Sequence, residues 1–259
     1  MTKIQNAFAA GKAFIPFITC GDPSLEITEE LVYAMDEAGA DLIELGIPFS
    51  DPTAEGPIIE AADFRALSDG VTTDQIFDMV RRIRTKTEIP LAFTTYANVA
   101  FSYGAERFIR TAAEIGADAL IFPDIPFEEK EEFAPICKAH GIELISLVAP
   151  APCERIKTIA KEAAGFVCCT ASLEENHARS GIVTELEEMA KLVKAEKAPP
   201  CAVSFDLPTV EQAAALSESA DGIIAGAAVV KICETYGADC IPYAADYVRS
   251  MKKALTGNR

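Results

Sequence analysis

The chain has 259 residues, half of them apolar, with no tryptophan and only 8% aromatics, so an aliphatic core is expected. That length is long for one compact domain but ordinary for an α/β barrel, which needs about 250 residues. Forty acidic residues against 23 basic ones leave a formal charge of −17, which repels DNA or RNA, and no basic stripe reverses it.

From the amino end, MTKIQNAFAAGKAF has no apolar h-region and does not read as a secretory signal. No run of about 18 uncharged apolar residues suggests a membrane span. A cytoplasmic protein is expected. Residues 2–10 read as a helix ahead of the first strand. Short β-rich runs then alternate with segments of helical period, the pattern of a parallel sheet. The predicted strands are 13–19, 41–46, 90–95, 118–123, 143–149, 165–171, 200–205 and 221–226. Ser24 (or Asp22), Thr72, Thr184 and Thr209 are the expected helix N-caps, and Gly39, Gly116 and Gly141 the expected C-caps. A last helix is expected over 243–255.

An internal echo supports the count of eight. EAGADLIELGIP (37–48) returns as EIGADALIFPDIP (114–126), 77 residues later, and ESADGIIAG (218–226) repeats the idea at the last strand. Two β/α units of ordinary size separate the first pair. The expected fold is therefore α/β: a single (β/α)8 TIM barrel over residues 1–259, with extra N- and C-terminal helices.

Eight cysteines (Cys20, Cys137, Cys153, Cys168, Cys169, Cys201, Cys233 and Cys240) include no C-x-x-C pair, and His140 and His177 are the only histidines. Reduced, buried thiols are expected, with no disulfide framework and no metal site.

Chemistry is sought at the carboxyl ends of the strands, where barrel active sites lie. Glu44 sits inside DLIELG, flanked by apolar residues. A carboxylate there loses water, which raises its pKa and costs several kcal/mol unless it is partnered or functional. From the residues alone it is either a structural carboxylate or a catalytic one. The long loop that follows, IPFSDPTAEGP (47–57), carries three prolines, Asp51, Glu55 and Gly56. Its stiffness allows Glu55 to be held opposite Glu44, and two carboxylates in unlike settings suit acid–base work.

The sequence resembles the tryptophan synthase alpha chain family over essentially its whole length. The likeness is carried by PFITCGDP (16–23), LIELGIPFSDPTAEGP (42–57), TYANV (95–99), FPDIPFEE (122–129) and GIIAGAAVVK (222–231). It implies a barrel that cleaves indole-3-glycerol phosphate to indole and glyceraldehyde 3-phosphate by retro-aldol chemistry, with no cofactor of its own. It also implies a pyridoxal-phosphate-dependent β chain as partner. By the resemblance Glu44 is the proton-transfer residue, and Glu55 stands where relatives usually carry an aspartate that binds the indole N–H. Phe17, Thr94 and Tyr96 match pocket positions, while Pro48, Asp51, Asn98 and residues 124–129 match the face toward the β chain. Asn176, His177, Phe205, Gly226 and Ala227 fall in the three loops by which the family grips phosphate.

Those three loops depart from the family pattern. Ser204-Phe205-Asp206 replaces Gly-Phe-Gly, Gly226-Ala227 replaces Gly-Ser, and Glu174-Glu175-Asn176-His177 replaces Gly-Val-Thr-Gly. Cys168 replaces a tyrosine; as a buried strand thiol it is expected to pack rather than react. Two unit charges about 4 Å apart at an effective dielectric near 20 repel by roughly 4 kcal/mol, about a thousandfold in affinity. Asp206 should therefore weaken phosphate binding, unless it turns outward and leaves the backbone amides free. Three readings follow: a lyase weak on the phosphorylated substrate, a lyase for a related substrate without phosphate, or a non-catalytic paralogue that binds or regulates a β chain. The segment from about Leu173 to Gly181 is expected to be mobile without ligand.

Overall fold

The computed structural model describes residues 2–171, 179–196 and 199–256. The expectation for 173–181 thus falls mostly outside the described residues, as do Glu174, Glu175, Asn176 and His177. Nine parallel strands form one sheet: β1 (Ala13–Thr19), β2 (Ile43–Gly46), β3 (Leu91–Thr94), β4 (Ala119–Ile121), β5 (Glu143–Leu144), β6 (Ser146–Val148), β7 (Val167–Thr170), β8 (Cys201–Phe205) and β9 (Gly222–Ala225). Their order is β5-β4-β3-β2-β1-β9-β8-β7-β6. The two edges of that order, β5 and β6, are consecutive in the chain. The single run predicted at 143–149 pairs with β4 through its first half and with β7 through its second. The Ile145 amide still donates to the Leu120 carbonyl at 2.9 Å. The barrel is thereby nearly closed, and eight predicted strands become nine because the fifth changes neighbour at Ile145.

Around the sheet run α1 (Lys3–Ala7), α2 (Leu25–Glu37), α3 (Pro57–Ser68), α4 (Thr73–Ile83), α5 (Ala97–Tyr103), α6 (Ala105–Glu114) and α7 (Ala134–His140). They continue with α8 (Cys153–Glu162), α9 (Arg179–Ala195), α10 (Val210–Leu216), α11 (Ala228–Tyr236) and α12 (Ile241–Thr256). Ser24, Thr72 and Thr209 cap α2, α4 and α10, the latter two with reciprocal Gln75 and Gln212 bonds. Thr184 lies inside α9 rather than at its start. Helices α3, α5 and α11 have no counterpart among the predicted elements. α3 opens with Gly56 and Pro57, a start that reads equally well as the end of the preceding loop.

Strand residues sort by alternation. Ile43, Leu45, Leu91, Phe93, Val203 and Ile223 pack outward against the helices, while Ile15, Leu42, Ala92, Ala119, Ala202 and Ile224 fill the barrel interior with Ile4 and Ala7 of α1. Glu44 therefore shares the inward face with Leu42, and Ala92, its register partner on β3, leaves it room.

The echoed Gly-Ala-Asp and Ser-Ala-Asp segments that lead into strands do one job each time. Asp41, Asp118 and Asp221 precede β2, β4 and β9, and each carboxylate accepts the amide of a neighbouring strand: Phe14 at 2.7 Å, Leu91 at 3.0 Å and Cys201 at 3.0 Å. Each also has a cation, Lys252, Arg84 and Lys194 respectively. Seven cysteines are buried and Cys153 is exposed; all are free thiols. Among the described residues, no helix is long and apolar enough to cross a membrane, and no three His, Cys, Asp or Glu side chains are grouped to hold a metal ion.

Candidate active site

A cavity of about 780 Å³ opens at the carboxyl ends of the strands. Phe17, Glu44, Glu55, Thr94, Cys168, Ser204, Asp206 and Gly226 all line it, so residues from β1, β2, β3, β7, β8 and β9 converge there. A second cavity, of about 600 Å³, lies beside the β5–β6 junction under α7 and contains none of these groups.

Glu44 is 5% exposed, and one of its carboxylate oxygens, Oε1, is buried without a hydrogen-bond partner among the described residues. The other accepts a long bond of 3.5 Å from the Thr94 hydroxyl. Burial pushes its pKa up to about 8, with the Thr94 bond pulling slightly the other way. At neutral pH Glu44 therefore holds a proton. Glu44 belongs to the cavity lining.

Glu55 is presented by the proline-rich loop. The Tyr96 hydroxyl accepts the Ala54 amide at 2.8 Å, and its ring stacks on Phe49 with centroids 5.1 Å apart. Tyr96 thus braces the loop from behind rather than lining the cavity. The pKa of Glu55 is also pushed to about 8, first by burial and then by the negative charges of Asp63, Asp206 and Glu44. Gly46, at the end of β2, has no room for a side chain because a Cβ would collide with the Phe17 ring. That close approach holds Phe17 at the cavity wall.

Asp63, outside the cavity lining but a charge acting on Glu55, is a buried carboxylate that sequence reasoning missed. It lies on α3, is 5% exposed and accepts the Phe49 amide at 3.3 Å. Burial raises its pKa to about 7. Its neighbour Asp22 is equally buried but has a bidentate partner in Arg65, with both contacts at 2.8 Å. Cys168 reaches the cavity, yet burial holds its thiol well above the usual range, which keeps it un-ionised and unreactive.

Asp206 does not turn away. A Cβ placed on Gly226 would lie 3.4 Å from its Oδ1, and one placed on Gly56 would lie 3.6 Å from its Oδ2. The carboxylate therefore stands at the mouth between these two glycines. Behind it, the Gly226 amide donates to the Phe205 carbonyl at 3.1 Å and the Ala227 amide to the Asp206 carbonyl at 2.8 Å. Phe205 and Ala227 act here through their backbones, and neither side chain lines the cavity.

Pro48 and Asn98 line one shallow groove outside the mouth, with Asp51 exposed beside it. The 124–129 segment is tied to the same end by Asp124, whose carboxylate accepts the Ala97 amide at 3.0 and 3.1 Å. Phe101, on α5, is half exposed at this end.

The family model for the tryptophan synthase alpha chain matches residues 4–256. This chain belongs to the tryptophan synthase alpha chain family. It is 42% identical to the tryptophan synthase alpha chain of a Thermoanaerobacter species over 94% of each chain. It is 40% identical to that of Lactiplantibacillus plantarum, with 99% of this chain and 97% of the relative covered. Among solved structures, tryptophan synthase subunit alpha from Legionella pneumophila superposes with a TM-score of 0.88 at 34% identity, covering 99% of both chains. A tryptophan synthase complex from Pyrococcus furiosus contains a chain that matches with a TM-score of 0.85 at 31% identity, covering 93% of this chain and 98% of that one.

Proposed function

We propose that this alpha-chain family member is a carbon–carbon lyase that splits an indolyl glycerol, of which indole-3-glycerol phosphate is the family's form, into indole and a three-carbon aldehyde. The observation that carries this reading is Glu44: a buried carboxyl in the cavity lining, protonated at neutral pH, with one oxygen that has no hydrogen-bond partner among the described residues. Its proton goes to indole C3, which turns the ring into an indoleninium cation. Loss of the carbinol hydroxyl proton then breaks the bond between C3 and the carbinol carbon. The bonding pair returns to the ring, the carbinol becomes the aldehyde, and the Glu44 carboxylate left by the first step is the base for the second. The indole N–H is kept throughout, and in this reading a Glu55 carboxyl oxygen accepts its hydrogen bond. Atoms and electrons balance without a cofactor.

The partner face proposed for a β chain carries Pro48, Asp51, Asn98 and residues 124–129. Its support is position: all lie at the cavity end, next to the half-exposed Phe101. Indole leaving the cavity would emerge beside this face.

The test is indole release by the purified protein, with and without a tryptophan synthase β chain, from indole-3-glycerol phosphate and from its dephosphorylated form. Release that requires Glu44 supports the lyase. No release from either compound, with the β chain bound, would establish the non-catalytic paralogue instead.

A further inference from the structure

The cavity that Glu44, Thr94 and Glu55 line is lined as well by Ser204, Asp206, Gly226 and Gly56. The amides of Gly226 and Ala227 are spent on the carbonyls of Phe205 and Asp206. The one cationic side chain among the described residues of the lining, Arg155, gives its guanidinium to both oxygens of Glu128 at 2.9 Å. In their place stands a carboxylate, 3.4 Å from the Cβ direction of Gly226, with the Ser204 hydroxyl 4.0 Å from the same point. Burial raises the pKa of Asp206, and no described cation or donor offsets that cost. An ionised carboxylate is an acceptor only, with room for about four donors. Among the described residues, Asp206 thus adds acceptor sites beside Gly226, where the Gly226 and Ala227 amides are already spent.

We propose that the chain takes an indolyl triol whose three-carbon side chain ends in a free hydroxyl, with Asp206 accepting the hydrogen bond of that terminal hydroxyl. This deepens the lyase reading and rests on it for the aromatic half of the ligand. Asp206 is a specificity residue in this reading. Cleavage of indole-3-glycerol then yields indole and glyceraldehyde, with the same proton gained at C3 and the same hydroxyl proton lost. Glu44 lines the same cavity.

The probes are indole-3-glycerol and its phosphate, identical but for the terminal group, with binding measured by calorimetry and indole release measured separately. The wild-type protein should bind the triol about 100-fold more tightly than the phosphate. Asp206→Gly should improve phosphate binding by the order of 10²–10³, the factor that removing one like charge near 4 Å provides, and should weaken triol binding. Asp206→Asn keeps the side chain's size and backbone setting, so it should also erase the preference if the glycine variant fails to fold. Tighter wild-type binding of the phosphate, binding of neither compound, or a preference unmoved in Asp206→Asn would overturn the proposal. The two readings part cleanly. Triol bound but not cleaved ends the lyase reading alone, while Glu44-dependent cleavage with the phosphate preferred ends this one alone.

Discussion

The Thr94 hydroxyl stands 3.5 Å from Oε2 of Glu44, and Oε1 of the same carboxyl is buried with no partner among the described residues. A structural carboxylate in an apolar barrel would be held by several donors, because leaving one unsatisfied costs about 1–3 kcal/mol. Glu44 carries that cost and lines a cavity. Replacing it with glutamine keeps the shape and the Thr94 contact but removes the transferable proton. Glu44→Gln should lower indole release by 10²–10⁴, the usual share of general acid–base catalysis, while the melting temperature holds or rises. Turnover within threefold of wild type would remove Glu44 from the chemistry.

The pH dependence has a definite sign. Glu44 must hold its proton to act as the acid, and its pKa is about 8. Cleavage should therefore fall about tenfold per pH unit once the pH passes 8. Glu55 is raised partly by Asp206, so Asp206→Asn should lower the Glu55 pKa. A ¹³C-labelled carboxyl titration of Glu55 in the two proteins reads this directly. An unchanged midpoint would mean that the two carboxylates do not feel each other.

Tyr96 acts through the loop it braces. Tyr96→Phe keeps the ring stacked on Phe49 but strands the Ala54 amide, whose only described acceptor is the Tyr96 hydroxyl at 2.8 Å. Stability should drop by about 1–3 kcal/mol, and the rate should fall because Glu55 follows Ala54 directly. Adding Glu55→Gln to this variant should then cost less than it does in wild type, since the two changes damage one unit. Equal costs in both backgrounds would mean that Tyr96 does not position Glu55.

Much of this was legible in the amino-acid sequence. Strands buried on both faces read as continuous apolar runs. The Ala-Asp echoes ahead of the strands reappear because each aspartate seals a neighbouring strand's amide: Asp118 takes Leu91 and Asp221 takes Cys201. Glu44 stood out as a charge inside such a run. What stayed hidden depends on neighbours distant in sequence. Asp63 sits in EAADFRALS, a polar helical stretch in which nothing distinguishes a buried carboxylate from a solvated one; only the packing of α3 under the loop buries it. The closure of the Gly226 and Ala227 amides is likewise a backbone event, set by how the β8 loop turns onto the end of β9. No side chain announces it.

Asp63 offers the sharpest test of the site's electrostatics. Its pKa is about 7 in the folded protein against 3.8 for an ordinary aspartate, with burial the main cause and the Asp22 charge adding to it. Between these values the folded protein keeps a proton that the unfolded chain has released. Stability from this group is thus fully present below about pH 4 and is lost as the pH climbs toward 7. The amide of an Asp63→Asn variant has no such dependence, and it still offers an oxygen to the Phe49 amide, which Asp63 accepts at 3.3 Å. Urea unfolding of wild type and Asp63→Asn at pH 5 and pH 8 should show the variant gaining on wild type by about 1–4 kcal/mol between the two. The scale follows from about 1.4 kcal/mol for each pH unit over which the folded protein alone holds the proton. Glu55 should respond as well, because Asp63 is the largest charge acting on it; its titration should move to lower pH in the variant. A stability difference that stays the same at both pH values would show that Asp63 is ionised and solvated in the folded protein, and the crowding assigned to the cavity mouth would fall with it.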